Sequence, residues 1–540
     1  MRRLVVFHPF LFAAFPVLFL FARNLHLFGP RALFAPLVIL IGLTTLLWVA
    51  LTLVLKSGQK AGLIISPFLV LLFSFESLFE AVRVSVESVD WLTGLFMQVG
   101  VTPGALRGFL LLVGVVVFFV ATYLLVRTRR DLHNLTLVAN VVASALVAMT
   151  LLEIAAYEIR VGSSWRSRGE VHAADVSLMQ LTAPEMLPDI YYIILDGYAR
   201  ADVLQEVYQY DNTEFIEYLS SKGFYVASES RSNYCQTFLS LASSLNMTHL
   251  DDLAARVGPE SRARRPAVNM IWYSDVARLL KGLGYTTVAF STGWWGTEIT
   301  QADLYLSPGW QPDYFQSELI GMTPIPFLAG QFGAQDQHGV HRERILYTFE
   351  GLAGLSQLDA PLFAFAHIIA PHPPFVFGSD GEEIGSEYRL TIRDGEHIIG
   401  EGGLTRQEYV AGYRDQLVFV NSKVQETVEA ILSEPSRPAT IILQADHGPG
   451  SMLDWESAEN SNLWERFSIL NAYYLPDGGE AELYDSITPV NTFRVIFNTY
   501  FGADLELLAD ESYFSTYDCP YDLTTVTEQT DGVAGIRTGE

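Results

Sequence analysis

The chain has 540 residues, half of them hydrophobic, and a formal net charge of −26. Its length exceeds the roughly 300 residues that one domain core supports, and a mean hydropathy of +0.24 combined with strong acidity predicts two units of different composition. Such acidity opposes binding to a polyanion, so we expect no nucleic-acid partner. Only Cys235 and Cys519 are present, too few for a disulfide scaffold or a zinc ribbon, although they could form one bridge in an oxidising compartment.

Residues 1–160 predict a transmembrane domain of about five helices. Five apolar stretches are long enough to cross a hydrocarbon core of about 30 Å. They are Leu4–Phe21, Ala32–Leu55, Ala61–Ala81, Leu106–Val126 and Leu135–Ala155. Lys and Arg are more frequent on the side that holds the N-terminus, so that side is predicted to be cytoplasmic and the rest of the chain to lie outside. A transporter is disfavoured, because five spans do not suit inverted repeats.

Glu76 and Glu80 lie one helical turn apart at the end of the third stretch. They either mark an ion path or lie at the outer membrane interface. We favour the interface, because a carboxylate is easily hydrated there.

Residues 161–187 read as a polar linker, 188–520 as a folded domain and 521–540 as a loose polar tail. Short apolar runs in the domain predict buried strands, and an apolar face at helical spacing predicts a helix within Tyr413–Leu432. The predicted strands are Ile190–Leu195, Thr286–Phe290, Leu362–Ile369, Thr440–Leu443 and Ala472–Leu475. Their alternation with helices predicts an α/β domain with a mostly parallel central sheet.

Two acidic motifs follow predicted strands directly. Asp196 comes after the first strand in IYYIILDGYAR, and Asp446 with His447 comes after a later one in TIILQADHGPG. Ligands of open α/β sheets bind beyond the carboxyl ends of the strands, and carboxylate and imidazole groups there suit Zn²⁺ or Mn²⁺. Each motif alone also fits an ordinary turn or a helix cap.

Thr237 lies in a hydroxyl-rich segment, NYCQTFLSLASSLNM, that predicts the start of a helix. A hydroxyl at a helix N-terminus beside a metal can become a nucleophile, while backbone N–H groups stabilise phosphate charge. The alternative is that Thr237 only caps the helix.

His367 and His372 lie in AHIIAPHPPFVF, at the end of a predicted strand and just beyond it. Histidines at this edge suit protonation of a leaving group or binding of a phosphate oxygen. A structural role in a proline-rich turn is the alternative for one of them.

These motifs resemble the alkaline phosphatase superfamily, in particular its membrane-bound sulfatase-like branch of lipoteichoic acid synthases and phosphoethanolamine transferases. The resemblance implies that Asp196, Thr237, Asp446 and His447 bind a divalent metal (Zn or Mn), with Thr237 also the nucleophile. It implies that His367 and His372 contact the substrate, and more weakly that Trp294 lines the pocket. It also implies a multi-pass protein of the cell (inner) membrane with an extracytoplasmic, periplasmic catalytic domain.

The sequence departs from these families at three points. Cys235 is followed by Gln236 and Thr237 rather than by the Cys-x-Pro-x-Arg pattern of true sulfatases, which disfavours sulfate ester hydrolysis. No histidine follows His447, where phosphoethanolamine transferases carry another, so the number of metals is open. Pro449 stands where these families often have Glu.

The predicted activity is metal-dependent phosphoryl-group transfer or phosphodiester hydrolysis through a phospho-threonine, on a membrane lipid headgroup or a cell-envelope glycan. One alternative is hydrolysis of sulfate or phosphate monoesters. Another is a non-catalytic envelope binding protein that keeps the fold. The resemblance alone does not identify donor or acceptor.

Overall fold

The computed structural model describes residues 5–88, 102–165, 181–182, 184, 186–332, 336–384, 393–400, 403–433, 437–476 and 478–530. The chain divides into two compact units. The helical unit comprises Met1–Ser163 with Pro312–Asp336, and the α/β unit comprises Ser164–Gln311 with Gln337–Glu540. Most of the predicted linker, residues 166–180, 183 and 185, lies outside the described residues. The predicted boundaries of this linker therefore stay predictions.

Apolar helices form most of the helical unit. They are α1 (His8–Arg23), α2 (Phe34–Leu55), α3 (Gly58–Phe73), α4 (Phe75–Glu87), α5 (Pro103–Arg127) and α6 (His133–Trp165). Within the described residues, three stretches are long and apolar enough to cross a membrane: Pro30–Leu55, Pro103–Arg127 and His133–Ile159. The bent pair α3 and α4 would make a fourth, whereas α1 has only 16 residues. The predicted number of five spans stays a prediction.

The third predicted span is not one straight helix. Its two parts, α3 and α4, meet at Ser74 with a bend of 50°. The Ser74 hydroxyl donates to the Val70 carbonyl at 2.5 Å, and such bonding of Ser or Thr to the preceding turn is a known cause of helix bending.

The remaining helices have 5 to 13 residues, apart from α15 and α16, which have 18 and 28. They are α7 (Ala201–Glu206), α8 (Thr213–Ser221), α9 (Thr237–Ser244), α10 (Asp251–Val257), α11 (Arg265–Trp272), α12 (Asp275–Gly282), α13 (Tyr314–Gly321), α14 (Ile325–Gln331), α15 (Gln337–Gly354), α16 (Arg406–Ser433), α17 (Leu463–Phe467) and α18 (Pro489–Phe501). Of these, α13 and α14 belong to the helical unit. The helix predicted within Tyr413–Leu432 is α16.

The α/β unit contains a seven-stranded sheet and a small two-stranded one. The strands are β1 (Asp189–Leu195), β2 (Tyr225–Val226), β3 (Thr286–Phe290), β4 (Leu304–Leu306), β5 (Leu362–Ile368), β6 (Ala439–Gln444), β7 (Asn471–Tyr474), β8 (Tyr513–Phe514) and β9 (Thr524–Thr525). The large sheet has the order β2-β7-β6-β1-β5-β3-β4. Strands β6, β1, β5, β3 and β4 run parallel, whereas β7 pairs antiparallel with both β6 and β2. The predicted mostly parallel α/β fold is confirmed.

Both faces of the sheet are covered, which explains why every residue of β1 is buried. On one face Tyr191 belongs to the same apolar cluster as Leu417 of α16. On the other face the Tyr192 ring packs against Phe493 of α18, with 5.0 Å between ring centroids, and its hydroxyl donates to Ser244 at the end of α9. Strand β1 is therefore central, with β5 and β6 as its neighbours.

The predicted tail begins as folded structure. Thr524–Thr525 pairs with Tyr513–Phe514, and Val526 is buried. The folded domain therefore extends past residue 520, because these residues bury an apolar side chain that a polar composition does not reveal. Residues 531–540 lie outside the described residues.

Candidate active site

The first acidic residue of the site, Asp196, lies directly beyond β1. Its backbone N–H donates to the Ile368 carbonyl at 2.9 Å, which extends the pairing with β5. Gly197 then turns the chain with φ +72, where a Cβ atom would lie 3.4 Å from the Cβ of His372. The turn needs glycine because other residues are strained at positive φ. The buried Asp196 carboxylate lies 3.1 Å from His367 Nε2 and 3.7 Å from His447 Nε2.

Asp446 and His447 follow β6 on the neighbouring side of β1. Asp446 Oδ1 accepts a hydrogen bond from the Gly197 N–H at 3.3 Å, which joins the two loops. His447 Nδ1 lies 2.9 Å from the Gly448 carbonyl, and because a carbonyl only accepts, Nδ1 donates. Burial, followed by the nearby Arg466 charge, lowers the pKa of His447. The imidazole is therefore neutral, with the lone pair of Nε2 directed into the site.

Thr237 is the first residue of α9, and its hydroxyl oxygen lies 3.0 Å from His447 Nε2. The N-cap position belongs to Gln236, whose side chain makes no capping hydrogen bond. The threonine hydroxyl thus lies between the imidazole and the N-terminal end of a helix, where backbone N–H groups favour negative charge.

His367 occupies the next-to-last position of β5, between two polar neighbours. Its Nδ1 lies 2.8 Å from the Thr297 hydroxyl and its Nε2 lies 3.1 Å from Asp196 Oδ2. The side chain is held on both sides and buried. These contacts fix the ring orientation at the carboxylate.

His372 reaches the site from the loop after β5. Its backbone N–H donates to the Asp196 carbonyl at 3.0 Å, and its Nδ1 donates to the Pro373 carbonyl at 2.5 Å. Its Nε2 lies 3.9 Å from Asp394 Oδ2. Burial opposes a positive charge on this ring, but the Asp196 and Asp394 carboxylates outweigh it and raise the pKa of His372.

The geometry suits a divalent cation. Two groups of buried side chains have ligand atoms within 4.8 Å of one another: Asp196 with His372 and His447, and Asp196 with His367 and Asp446. Asp196 Oδ1 and Asp446 Oδ2 are buried without a hydrogen-bond partner, which is costly unless something else binds them. Burial opposes ionisation of Asp196, but the three histidines hold its pKa well below the usual range. Oxygen and imidazole donors of this kind fit Zn²⁺ or Mn²⁺.

The predicted residues Asp196, Thr237, Asp446, His447, His367 and His372 all meet at this edge of the sheet. One difference concerns His367 and His372, because the resemblance gives them to the substrate while the geometry places both within ligand reach of Asp196. The two cysteines are free, and Cys235 is buried two residues before Thr237.

A family model described as Sulfatase matches residues 188–495, more than half of the chain. The chain belongs to the sulfatase family. Membership of this family makes the sulfatase-family protein an enzyme of the sulfatase-like type. No curated protein matches the chain.

Solved structures similar to this sulfatase-family protein share little sequence with it. The C-terminal periplasmic domain of EcEptC from Escherichia coli, in complex with Zn, is 10% identical, with 64% of this chain and 95% of that chain covered and a TM-score of 0.43. The integral membrane protein lipooligosaccharide phosphoethanolamine transferase A from Neisseria meningitidis is 12% identical, with 91% and 94% covered and a TM-score of 0.37.

A buried ionic network behind the site was missed from the sequence. Arg466 is buried in α17, and its Nη1 donates to Asp394 Oδ2 at 2.8 Å and to the Gly448 carbonyl at 2.9 Å. Its other guanidinium nitrogens donate to the Cys235 carbonyl at 2.8 and 3.0 Å. Arg466 therefore ties together the loop before Thr237, the loop after His447 and the carboxylate beside His372.

Asp394 completes this network from a different part of the chain. Its Oδ1 accepts a hydrogen bond from the Tyr409 hydroxyl at 2.7 Å. Burial opposes the charge, but His372 and then Arg466 lower the pKa of Asp394. Neither Asp394 nor Arg466 follows a predicted strand, so the rule that located Asp196 and Asp446 gave no signal for them.

A second missed group shapes the loop around Trp294. The Trp294 ring lies 5.8 Å from the His367 ring, between centroids. Glu298 holds this loop, because its Oε1 accepts hydrogen bonds from the N–H groups of Thr292 at 3.1 Å and Gly293 at 2.5 Å. The signal was present in STGWWGTE, where four polar residues flank two tryptophans beyond a strand.

Proposed function

We propose that this sulfatase-family enzyme is a metal-dependent phosphoryl-group transferase or phosphodiesterase that acts through a phospho-threonine at Thr237. The observation that carries the proposal is the hydroxyl of Thr237, at the start of α9 and 3.0 Å from His447 Nε2, beside the two unpartnered carboxylate oxygens. A nucleophile beside an imidazole and anionic ligands is the arrangement that covalent phosphoryl transfer requires.

The metal would be held by Asp196, Asp446 and His447 together with Thr237, and the position of His367 and His372 allows one of them to contribute. When bound, a divalent cation supplies positive charge that favours the ionised threonine hydroxyl and offsets charge on the phosphoryl oxygens. The same positive charge would also balance the Asp196 and Asp446 carboxylates, which are buried in the site.

In the first step the ionised Thr237 oxygen attacks phosphorus and forms an O–P bond, and the bond from phosphorus to the leaving alcohol oxygen breaks. His372 is suited to protonate that oxygen, because, despite its burial, the Asp196 and Asp394 carboxylates raise its pKa and so favour a proton on the ring. In the second step water or an acceptor hydroxyl attacks the phospho-threonine, its proton passes to His372 or His367, and the Thr237 oxygen is released.

Cys235 is the nearest competing nucleophile in the chain, and the structure disfavours it. Burial raises the pKa of its thiol, which keeps it protonated. Its sulfur lies 3.4 Å from the carbonyl oxygen and the N–H of Ser515. The thiol is thus occupied in packing against the C-terminal part of the unit.

A lipid headgroup or an envelope glycan is the proposed substrate class. The helical unit provides spans that hold the enzyme at a membrane, and the charge pattern of its loops favours an α/β unit outside the cytoplasm. We therefore propose a cell (inner) membrane location with a periplasmic active site and a phosphodiester substrate carried by a lipid or glycan.

Mass analysis of the full-length enzyme tests the nucleophile. The wild type, Thr237→Ala and the control Thr237→Ser are incubated with Mn²⁺ or Zn²⁺ and mixed phospholipids, and tryptic peptides are mapped. We expect a phosphate-containing adduct on Thr237 and on the serine control, and none in Thr237→Ala. Turnover in Thr237→Ala should fall by about 10⁴-fold or more, as for loss of other covalent nucleophiles.

The other outcomes separate the alternatives. An adduct on Cys235 would show that Thr237 is not the nucleophile. Bound metal without any adduct or lipid product would favour the non-catalytic binding protein. Turnover of phosphate or sulfate monoesters but not of diesters would favour the monoester hydrolase.

A further inference from the structure

A segment from the middle of the α/β half of the chain belongs to the helical unit. The chain leaves the α/β unit at Gln311 and returns to it at Gln337, and Pro312–Asp336 between them clusters with the membrane helices. We call Pro312–Asp336 the insertion. It carries the two short helices α13 and α14.

Aromatic rings attach α13 to the last turn of α1 and to Phe28 in the segment that follows it. The Phe315 ring lies 5.1 Å from Phe28 in edge-to-face contact, and the Tyr314 ring lies 5.9 Å from Phe28 in stacked contact. Phe315 also meets Phe21, near the last turn of α1, at 6.5 Å. Phe315 and Phe28 are both buried by these contacts.

Two further contacts connect the insertion to α4 and α5. The backbone N–H of Glu76, in the first turn of α4, donates to the Met322 carbonyl at 3.3 Å. The Phe327 ring covers Gly108 of α5, where a Cβ atom would lie 3.8 Å from the Phe327 Cζ. Together with the aromatic contacts, these place the insertion against the last turn of α1 and the first turns of α4 and α5.

These helix ends share one side of the membrane in the predicted topology, the extracytoplasmic side. An ion pair joins the first turns of α4 and α5, where Arg107 Nη2 lies 2.7 Å from Glu76 Oε1. The Arg107 guanidinium carbon also lies 4.0 Å from the Phe79 ring centroid. Partly exposed ion pairs and amphipathic aromatic contacts are typical of a membrane–water boundary. This pairing fits the interface reading of Glu76 better than an ion path.

One face of α14, together with its C-cap residue Phe332, is apolar and partly exposed. Ile325, Leu328 and Phe332 follow one another at helical spacing and are 49%, 40% and 87% exposed. The chain carries no charged residue from Leu319 to Phe332. Side chains in the spans of the same unit are exposed to a similar range of degrees, among them Leu47, Leu135 and Leu53 at 41%, 49% and 74%. A cluster of this kind marks an interaction surface.

We propose that the insertion is a membrane-interface anchor whose α14 face lies in the outer-leaflet boundary between headgroups and acyl chains. Lipid is the occupant that fits, because α14 continues the apolar surface of helices that themselves need lipid around them. An amphipathic helix that lies in the plane of the interface buries its apolar face about 5–10 Å into the boundary between headgroups and acyl chains. The proposal does not rest on the proposed function.

Fluorescence quenching in vesicles tests the anchor on the full-length protein. Leu328→Cys is made in a Cys519→Ser background, since Cys235 is buried, and is labelled with bimane. The protein is reconstituted in phosphatidylethanolamine and phosphatidylglycerol vesicles with or without brominated lipid. We expect brominated lipid to remove about half of the emission or more, as for a probe at the depth of an interfacial helix. Aqueous iodide should have little effect.

Tyr273→Cys in the same background is the matched control, because Tyr273 is 60% exposed on the α/β unit. Its bimane should respond to iodide and not to brominated lipid. The same response at position 328 would overturn the proposal, since α14 would then face water. Resistance of position 328 to both quenchers would also overturn it and would indicate a protein partner or a second copy on α14.

Discussion

The two units of the molecule place their apolar and polar side chains in opposite ways. In the helical unit large apolar side chains lie on the outside, and a few polar groups meet inside, such as His8 Nδ1 with the Ser66 hydroxyl at 2.6 Å. In the α/β unit the apolar residues are inside, and charged groups such as Asp394 and Arg466 are buried with them. Exposure of a side chain therefore has to be judged against the solvent expected around that part of the chain.

The exposed side chains of the insertion follow the pattern of the helical unit. By its place in the sequence it belongs with the α/β unit, but Ile325, Leu328 and Phe332 are exposed to the degree seen in the spans. In an α/β protein in water this face would be an aggregation risk, whereas beside membrane helices it is a lipid contact.

The largest expected effect concerns the ionic network of the α/β unit. Arg466→Met should lower the free energy of unfolding by about 3–5 kcal/mol, because it removes the hydrogen-bonded guanidinium from the buried Asp394 carboxylate and leaves the buried Cys235 and Gly448 carbonyls without this donor. Denaturation of the detergent-solubilised protein, followed by near-ultraviolet circular dichroism, measures the change. Arg466→Met with Asp394→Asn should recover part of the loss.

Arg262 provides the control for a pair outside the network. Its Nη2 lies 2.6 Å from Asp518 Oδ2, but both side chains are largely exposed at 65% and 47%. Arg262→Met should therefore change stability by about 0–1 kcal/mol. If Arg262→Met and Arg466→Met lowered the free energy of unfolding equally, buried and exposed ion pairs would not differ in this protein.

Metal binding should give a smaller, ligand-dependent effect in the same unit. At a concentration of Mn²⁺ or Zn²⁺ about 100 times the Kd, the wild type should gain about 2.7 kcal/mol of stability, and a chelator should reverse it. Asp446→Asn should lose this gain, because one of the two unpartnered carboxylates is gone. Thermal unfolding with and without metal measures both. An unchanged gain in Asp446→Asn would place the cation elsewhere.

The smallest effect tests the helical unit and rests on the proposed function. Leu328→Asp should reduce turnover of a lipid phosphodiester in vesicles by about tenfold, because roughly half of the apolar burial of one leucine, about 1.4 kcal/mol, is lost. Turnover of the water-soluble bis(p-nitrophenyl) phosphate should be unchanged. Tyr273→Asp, on the α/β unit, should leave the ratio of the two rates as in the wild type. Equal loss on both substrates would indicate damage to the fold instead.

The sequence predicted the parts of the α/β unit that depend on continuous burial. Strands at Ile190–Leu195 and Thr440–Leu443 were located to within one residue, because a strand covered on both faces is apolar throughout. Because Asp196 follows the first of these strands and Asp446 and His447 follow the second, the sequence also predicted that the three residues lie close together. Their roles as metal ligands stay predictions.

Other features depend on contacts that leave no local pattern. Strands β2 and β4 are two and three residues long, too short for a period to show. Arg466 and Asp394 are far apart in the chain and meet only through folding, 72 residues from one another. At the bend, Ser74 bonds to the preceding turn through its hydroxyl, and no Gly or Pro marks this position in the sequence. The sequence did not predict the lipid-facing insertion, because a short apolar helix has the same pattern when it packs in a protein core.

The course of the chain through the insertion changes what can be separated from the membrane. Cleavage or truncation near Ser163 removes the spans before it, but the fragment that remains still carries Pro312–Asp336. In that fragment water would reach both the surface of the insertion that packs on Phe21 and the α14 face that we assign to lipid. Phe315, buried against α1 in the whole protein, would meet water in such a fragment. A soluble form of the catalytic half therefore requires two alterations of the gene, one at the linker and one that replaces the apolar side chains of the insertion.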